Sequence, residues 1–160
     1  MLDCEPVPFG ATLFDKSAEA NWLVVWHQDT ALPLLQKRDV QGWGPWSKKG
    51  GVAYAHAPAD ALANVVAVRL HLDDSALENG PLRVLPGTHE SGVLSDAQIH
   101  KLAQRVEPFA CTVARGGVLV MRPLLVHASS KSLGPASRRV LHFEYATSEV
   151  LGHGLQLRAA

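Results

Sequence analysis

The chain has 160 residues, 47% of them hydrophobic and 19% charged, which suits one globular domain with a single core. Fifteen basic residues balance fifteen acidic ones, so the footprint of a nucleic-acid binder is excluded. No run of about 18 apolar residues predicts a transmembrane helix, and residues 1–6 lack the charged and apolar regions of a signal peptide.

Short apolar runs of period two, punctuated by Gly, Pro and Asp, predict strands. The first spans 22–26. Residues 30–57 carry Pro33, Gly42, Gly44, Pro45, Gly50 and Gly51 and read as a long loop, expected to be a lid or substrate loop over a site. Trp43 and Trp46 within it are expected to offer that lid its apolar face. A helical turn is expected from Pro58, then a strand over 64–72, turn chemistry at 78–81 and a short strand over 82–85. Ser95 and Gln98 form a capping-box pattern, and Ile99, Leu102, Ala103 and Val106 follow at helical spacing until Pro108. Strands over 109–113 and 117–121 flank Arg115-Gly116-Gly117 and read as a tight hairpin. The second continues past a bend at Pro123 to end on His127, and a last strand covers 139–145. Many strands with few helices predict a β-sandwich or jelly roll. Cys4 and Cys111 are too few for a disulfide framework, so free thiols in a reducing, cytoplasmic compartment are expected.

The chemistry concentrates at Trp26-His27-Gln28-Asp29. Residues two apart on a strand point the same way, so the His27 imidazole and the Asp29 carboxylate converge. With a second histidine from a distant strand they would complete a two-His, one-carboxylate facial triad, which leaves coordination positions open. His-X-Asp alone is a weak signal. Of eight histidines, His127 fits best, at the end of an apolar strand and eleven residues before Arg138. A guanidinium binds a carboxylate through two parallel hydrogen bonds. Arg138 and Arg139 compete for this role. An apolar interior would favour Arg139, which shares a face with Leu141, Phe143 and Tyr145. A polar pocket would favour Arg138, which shares one with Val140, His142 and Glu144. Ser129 can add a hydroxyl, and Arg69 and His71 share a strand face that can line the same pocket. His89 reads as structural, and Gly80 and Gly87 as positions that need positive φ.

These residues together resemble a family. His27-Gln28-Asp29, the stretch 78–89 (Glu-Asn-Gly-Pro-Leu-Arg-Val-Leu-Pro-Gly-Thr-His), the run from Arg115 to His127, and Arg138 look like the phytanoyl-CoA dioxygenase family over about 21–145. The resemblance implies a mainly β fold, a double-stranded β-helix (jelly roll, cupin-like) with one or two flanking helices, as one domain over 1–160. It implies Fe(II) held by His27, Asp29 and His127, and 2-oxoglutarate as cosubstrate with Arg138, Gln28 and Ser129 at its binding site. It further implies a dioxygenase that hydroxylates a small organic molecule and releases succinate and CO2. Two features depart from the family pattern. Only 26 residues precede His27, so the pocket wall supplied by a longer region is expected to be reduced, and Arg69 stands where an aromatic residue is common. Two alternatives fit the same residues: a non-catalytic jelly-roll binding module with an incomplete pocket, and a cupin-like metalloenzyme that does not use 2-oxoglutarate.

Overall fold

The computed structural model describes residues 5–159. Its strands are β1 (Val7–Lys16), β2 (Val24–His27), β3 (Ala31–Leu34), β4 (Trp46–Lys49), β5 (Val52–His56), β6 (Val65–His71), β7 (Leu82–Val84), β8 (Phe109–Cys111), β9 (Val118–Met121), β10 (His127–Ser129), β11 (Arg138–Ala146), β12 (Val150–Leu151) and β13 (Leu155–Gln156). Two helices, α1 (Ala59–Leu62) and α2 (Asp96–Ala103), flank them. The strands form two four-stranded antiparallel sheets, ordered β1-β11-β6-β9 and β2-β10-β7-β8, a three-stranded sheet β3-β5-β4, and the small pair β12-β13. This is the jelly roll that the strand pattern predicts.

Period two explains how a polar cavity sits inside an apolar frame. Along β6, Val65, Ala67, Arg69 and His71 are buried while the residues between them are only partly so. The inward face is thus apolar at one end and polar at the other. β11 repeats this with Arg138, Val140 and His142 buried. The register places His142 beside Arg69 of β6 and Thr12 of β1, and Arg138 beside Lys16. Gly10 stands at a bulge in β1 opposite Glu144, where a Cβ would collide with the Glu144 side chain.

Beyond the cavity, one core packs Phe9, Leu32, Leu34, Trp43, Leu62 and Leu157 beneath the three-stranded sheet. A second holds Ala67, Leu82, Val84, Cys111 and Met121 between the main sheets. The third seats α2 through Ile99 on Leu85 and Val126. Ser95 caps α2 through the predicted box, accepting from the Gln98 amide while Gln98 reaches back.

Four expectations need correction. The segment 30–57 is not one loop but carries three strands of four or five residues, set off by Gly and Pro at 42–45 and by Gly at 50–51. Trp43 is 7% exposed and belongs to the core, so its indole is packing. The turn at Arg115-Gly116-Gly117 is not a hairpin: β8 pairs with β7 and β9 with β6, so the chain crosses there from one main sheet to the other. The same glycines serve either turn, and the Gly116 amide bonds the His71 carbonyl. The strand expected to run through Pro123 is likewise two strands in two sheets, so His127 opens β10. Cys111 is buried and free, and Cys4 lies outside the described residues.

Candidate metal and cosubstrate site

His27 ends β2 and His127 begins β10, and the two are direct partners in the register between those strands. Their ring centroids are 4.2 Å apart. Asp29 lies between them, with Oδ1 3.4 Å from His27 Nε2 and Oδ2 3.4 Å from His127 Nε2. All three ligand atoms fall within 4.8 Å of one another. The backbone fixes this arrangement. The Asp29 amide donates to the Pro123 carbonyl at 3.0 Å, so the bend seen in the sequence at Pro123 tethers the carboxylate ligand. Gln28, just past the end of β2 and also at the cavity, donates to the carbonyls of Gly92 (2.9 Å) and Leu124 (2.7 Å) and accepts from the Leu94 amide (2.8 Å). Its amide is thus spent on backbone and anchors the ligand segment.

The donor chemistry fits a divalent metal. His27 Nδ1 and His127 Nδ1 each lie 2.9 Å from a carbonyl oxygen two residues earlier, Val25 and Leu125. A carbonyl can only accept, so each Nδ1 carries the proton and each Nε2 presents its lone pair to the common centre. Two ligands each about 2.1 Å from one ion at a right angle stand about 3 Å apart, close to the separations here. Burial opposes ionisation of Asp29, but the two imidazoles outweigh it and hold its carboxyl below the usual range. The Asp29 carboxylate likewise raises His27. A metal would compete with protons for these groups.

A cavity of about 340 Å³ opens on the triad, walled by both main sheets and by the three-stranded sheet, which contributes Lys49, Tyr54 and His56. Arg138 is 4% exposed and lines it. Its Nε donates to the Asn79 carbonyl and its NH2 to Ser129 Oγ, both at 3.3 Å. Arg139 points to solvent and forms a two-pronged ion pair with Asp73, 2.8 Å on each prong, which holds the Asp73 carboxyl at about 2. Of the two arginines, only the one on the mixed face lines the cavity: the inner side of β11 is the polar one. Ser129 is buried, donates to the Gly80 carbonyl at 2.9 Å and also lines the cavity. Gly80 has φ +67, and a Cβ there would strike the Ser130 carbonyl. His89 stays outside, half exposed beside Glu90.

The sequence reading missed Lys16. Its ammonium is fully buried, donates to Ser129 Oγ (2.8 Å) and the Ser130 carbonyl (2.5 Å), and lies 5.5 Å from the Trp22 ring centroid. The available signal was a lysine closing an apolar run eleven residues before His27. Arg69 and His142 line the cavity as well, joined at 3.0 Å through Nδ1.

The fold has known counterparts. The structure of AviO1 from Streptomyces viridochromogenes Tue57 is 26% identical with a TM-score of 0.63, covering 91% of this chain and 52% of that one. EctD from S. alaskensis, crystallised with 2-oxoglutarate and 5-hydroxyectoine, is 20% identical with a TM-score of 0.64, over 91% of this chain and 45% of that one. HygX from Streptomyces hygroscopicus, crystallised with nickel and 2-oxoglutarate, is 15% identical with a TM-score of 0.60, over 94% and 59%. The chain spans about half the length of these structures. No curated protein sequence matches it. Among the described residues no helix is long and apolar enough to cross a membrane. The family model for phytanoyl-CoA dioxygenase (PhyH) matches residues 10–140, and the chain belongs to that family of Fe(II)- and 2-oxoglutarate-dependent oxygenases.

Proposed function

We propose that this chain is an Fe(II)- and 2-oxoglutarate-dependent dioxygenase that hydroxylates a small organic molecule and releases succinate and CO2. The observation that carries the reading is one cavity holding both a metal-type donor set and the buried Arg138 guanidinium, which among the described residues has no carboxylate partner. His27, Asp29 and His127 would hold the iron. When bound, the iron supplies oxygen activation coupled to decarboxylation of the cosubstrate. Arg138 would take the far carboxylate of 2-oxoglutarate, with Ser129 giving it a hydroxyl partner. Gln28 supports the site by fixing the segment that carries Asp29. Residues 1–160 act as one oxygenase domain. The three-stranded sheet of segment 30–57 forms the substrate side, where Lys49, Tyr54 and His56 meet a ligand entering the cavity. The His27 and Asp29 side chains are 36% and 41% exposed, so the metal end of the cavity opens to solvent, and a bound ligand would have to cover it.

The test is anaerobic addition of Fe(II) and 2-oxoglutarate, followed by the metal-to-ligand absorption band. A band is expected in the wild type and absent in Asp29→Ala. No band in the wild type would overturn the cosubstrate assignment, and equal iron binding by Asp29→Ala would overturn the ligand set. Succinate production then separates a dioxygenase from a binding module, which yields none.

A further inference from the structure

Arg69 has no role in that scheme, yet its surroundings are built for a ligand. It is 7% exposed, lines the cavity with Arg138, and its Nε is buried without a hydrogen-bond partner. Among the described residues no carboxylate lies within ion-pair distance of it. Its neighbours are instead the Phe14 ring, with the guanidinium carbon 5.2 Å from the centroid, and the His142 imidazole at 3.0 Å. An arginine can only donate, so His142 Nδ1 accepts. Burial, and then Arg69 itself, hold both His142 and His71 down at about 4, so these imidazoles stay neutral. The fold therefore gives a buried guanidinium acceptors and a π face, but no counterion. Buried charges are ordinarily paired.

The charge balance points the same way. Arg69 and Arg138 line this cavity, and Lys16 is buried against Ser129, which lines it too. A divalent ion and a dianionic cosubstrate cancel each other, and Asp29 offsets one of the three cations. Glu144, which also lines the cavity, is held up at about 7 by burial and by Asp29, and so offsets only part of a second charge at neutral pH. Positive charge is left over for a further anionic group.

We propose that Arg69 is a second carboxylate-binding group of the cavity, separate from Arg138. The proposal rests on the oxygenase reading for what the first carboxylate is. The second belongs either to the keto-acid end of 2-oxoglutarate or to an acidic primary substrate, and two titrations of the full chain tell these apart. In the first, 2-oxoglutarate is titrated anaerobically into the Fe(II)-loaded wild type and into Arg69→Met, by calorimetry. In the second, acetate binding is read by ligand-observed NMR on the Zn(II)-loaded protein saturated with 2-oxoglutarate.

A loss of about thirtyfold or more in 2-oxoglutarate affinity in Arg69→Met assigns the carboxylate to the cosubstrate. Unchanged 2-oxoglutarate affinity with an acetate signal that Arg69→Met abolishes assigns it to the substrate. Unchanged 2-oxoglutarate affinity, with acetate binding absent from the wild type or unaltered in the variant, overturns the proposal. Arg69→Lys keeps the charge without the planar fork; it is read in the same assays with a smaller expected loss, should Arg69→Met fail to fold. If the wild type binds no 2-oxoglutarate, the oxygenase reading falls. The acetate measurement on metal-free Arg138→Met, compared with Arg69→Met, Arg138→Met, still decides the role of Arg69.

Discussion

Replacing Lys16 with methionine tests the electrostatics of the cavity wall. The ammonium is fully buried beside Arg138, and burial first, then Arg138, bring it down from 10.5 to about 8. That difference corresponds to about 3 kcal/mol against the charged form in the folded state. The sign follows from proton counting. Between about pH 8 and 10.5 the unfolded lysine holds more proton than the folded one, so stability rises with pH across this window. The gain is complete above 10.5 and lost as pH falls through 8. Lys16→Met keeps the length of the stem and cannot titrate. Urea denaturation of both proteins at steps from pH 7 to 10.5 is therefore expected to show wild-type stability rising relative to the variant by about 3 kcal/mol. Other titrating groups are common to both proteins and cancel in the difference. A difference flat to within about 0.5 kcal/mol, or one that falls with pH, would refute the reasoning.

Arg138→Met is expected to weaken 2-oxoglutarate binding by about a hundredfold in calorimetry, since it removes a buried charge-assisted partner. Arg139→Met should leave that affinity unchanged and cost under about 1 kcal/mol of stability, because its pair with Asp73 is exposed. Trp43→Ala should destabilise the protein by about 3–5 kcal/mol in chemical denaturation while leaving cosubstrate affinity alone; a loss of ligand binding without loss of stability would restore the lid. Gly80→Ala is expected to cost about 2 kcal/mol, from its positive φ and the collision with the Ser130 carbonyl, and to weaken 2-oxoglutarate binding through displaced Ser129.

Much of this was readable where the signal is local. The Ser95 and Gln98 box, the alternation of β6 and the convergence of His27 and Asp29 at the end of β2 all follow from neighbours a few residues apart. What failed depends on partners far away in sequence. β1 carries Pro8, Gly10 and a bulge, and its burial alternates poorly, so neither it nor Lys16 stood out. The Arg115-Gly116-Gly117 turn looks the same whether it joins paired strands or carries the chain between sheets. Only the His71 contacts across the fold decide between them. Arg138 was legible as one of two, and the side of β11 that faces the cavity was settled by packing.

The facing register of His27 and His127 has a consequence for how the chain is held closed. The two lie a hundred positions apart in sequence yet oppose each other on adjacent strands. An ion shared between them would act as a removable cross-link closing a loop of that length, a constraint comparable to a disulfide worth about 4–5 kcal/mol. β2 and β10 are both short, so this staple would carry a large share of the cohesion between the early and late parts of the jelly roll. Stripping the metal with a chelator should then open this seam first, seen as faster amide exchange in β2 and β10 while β6 and β11 keep their protection.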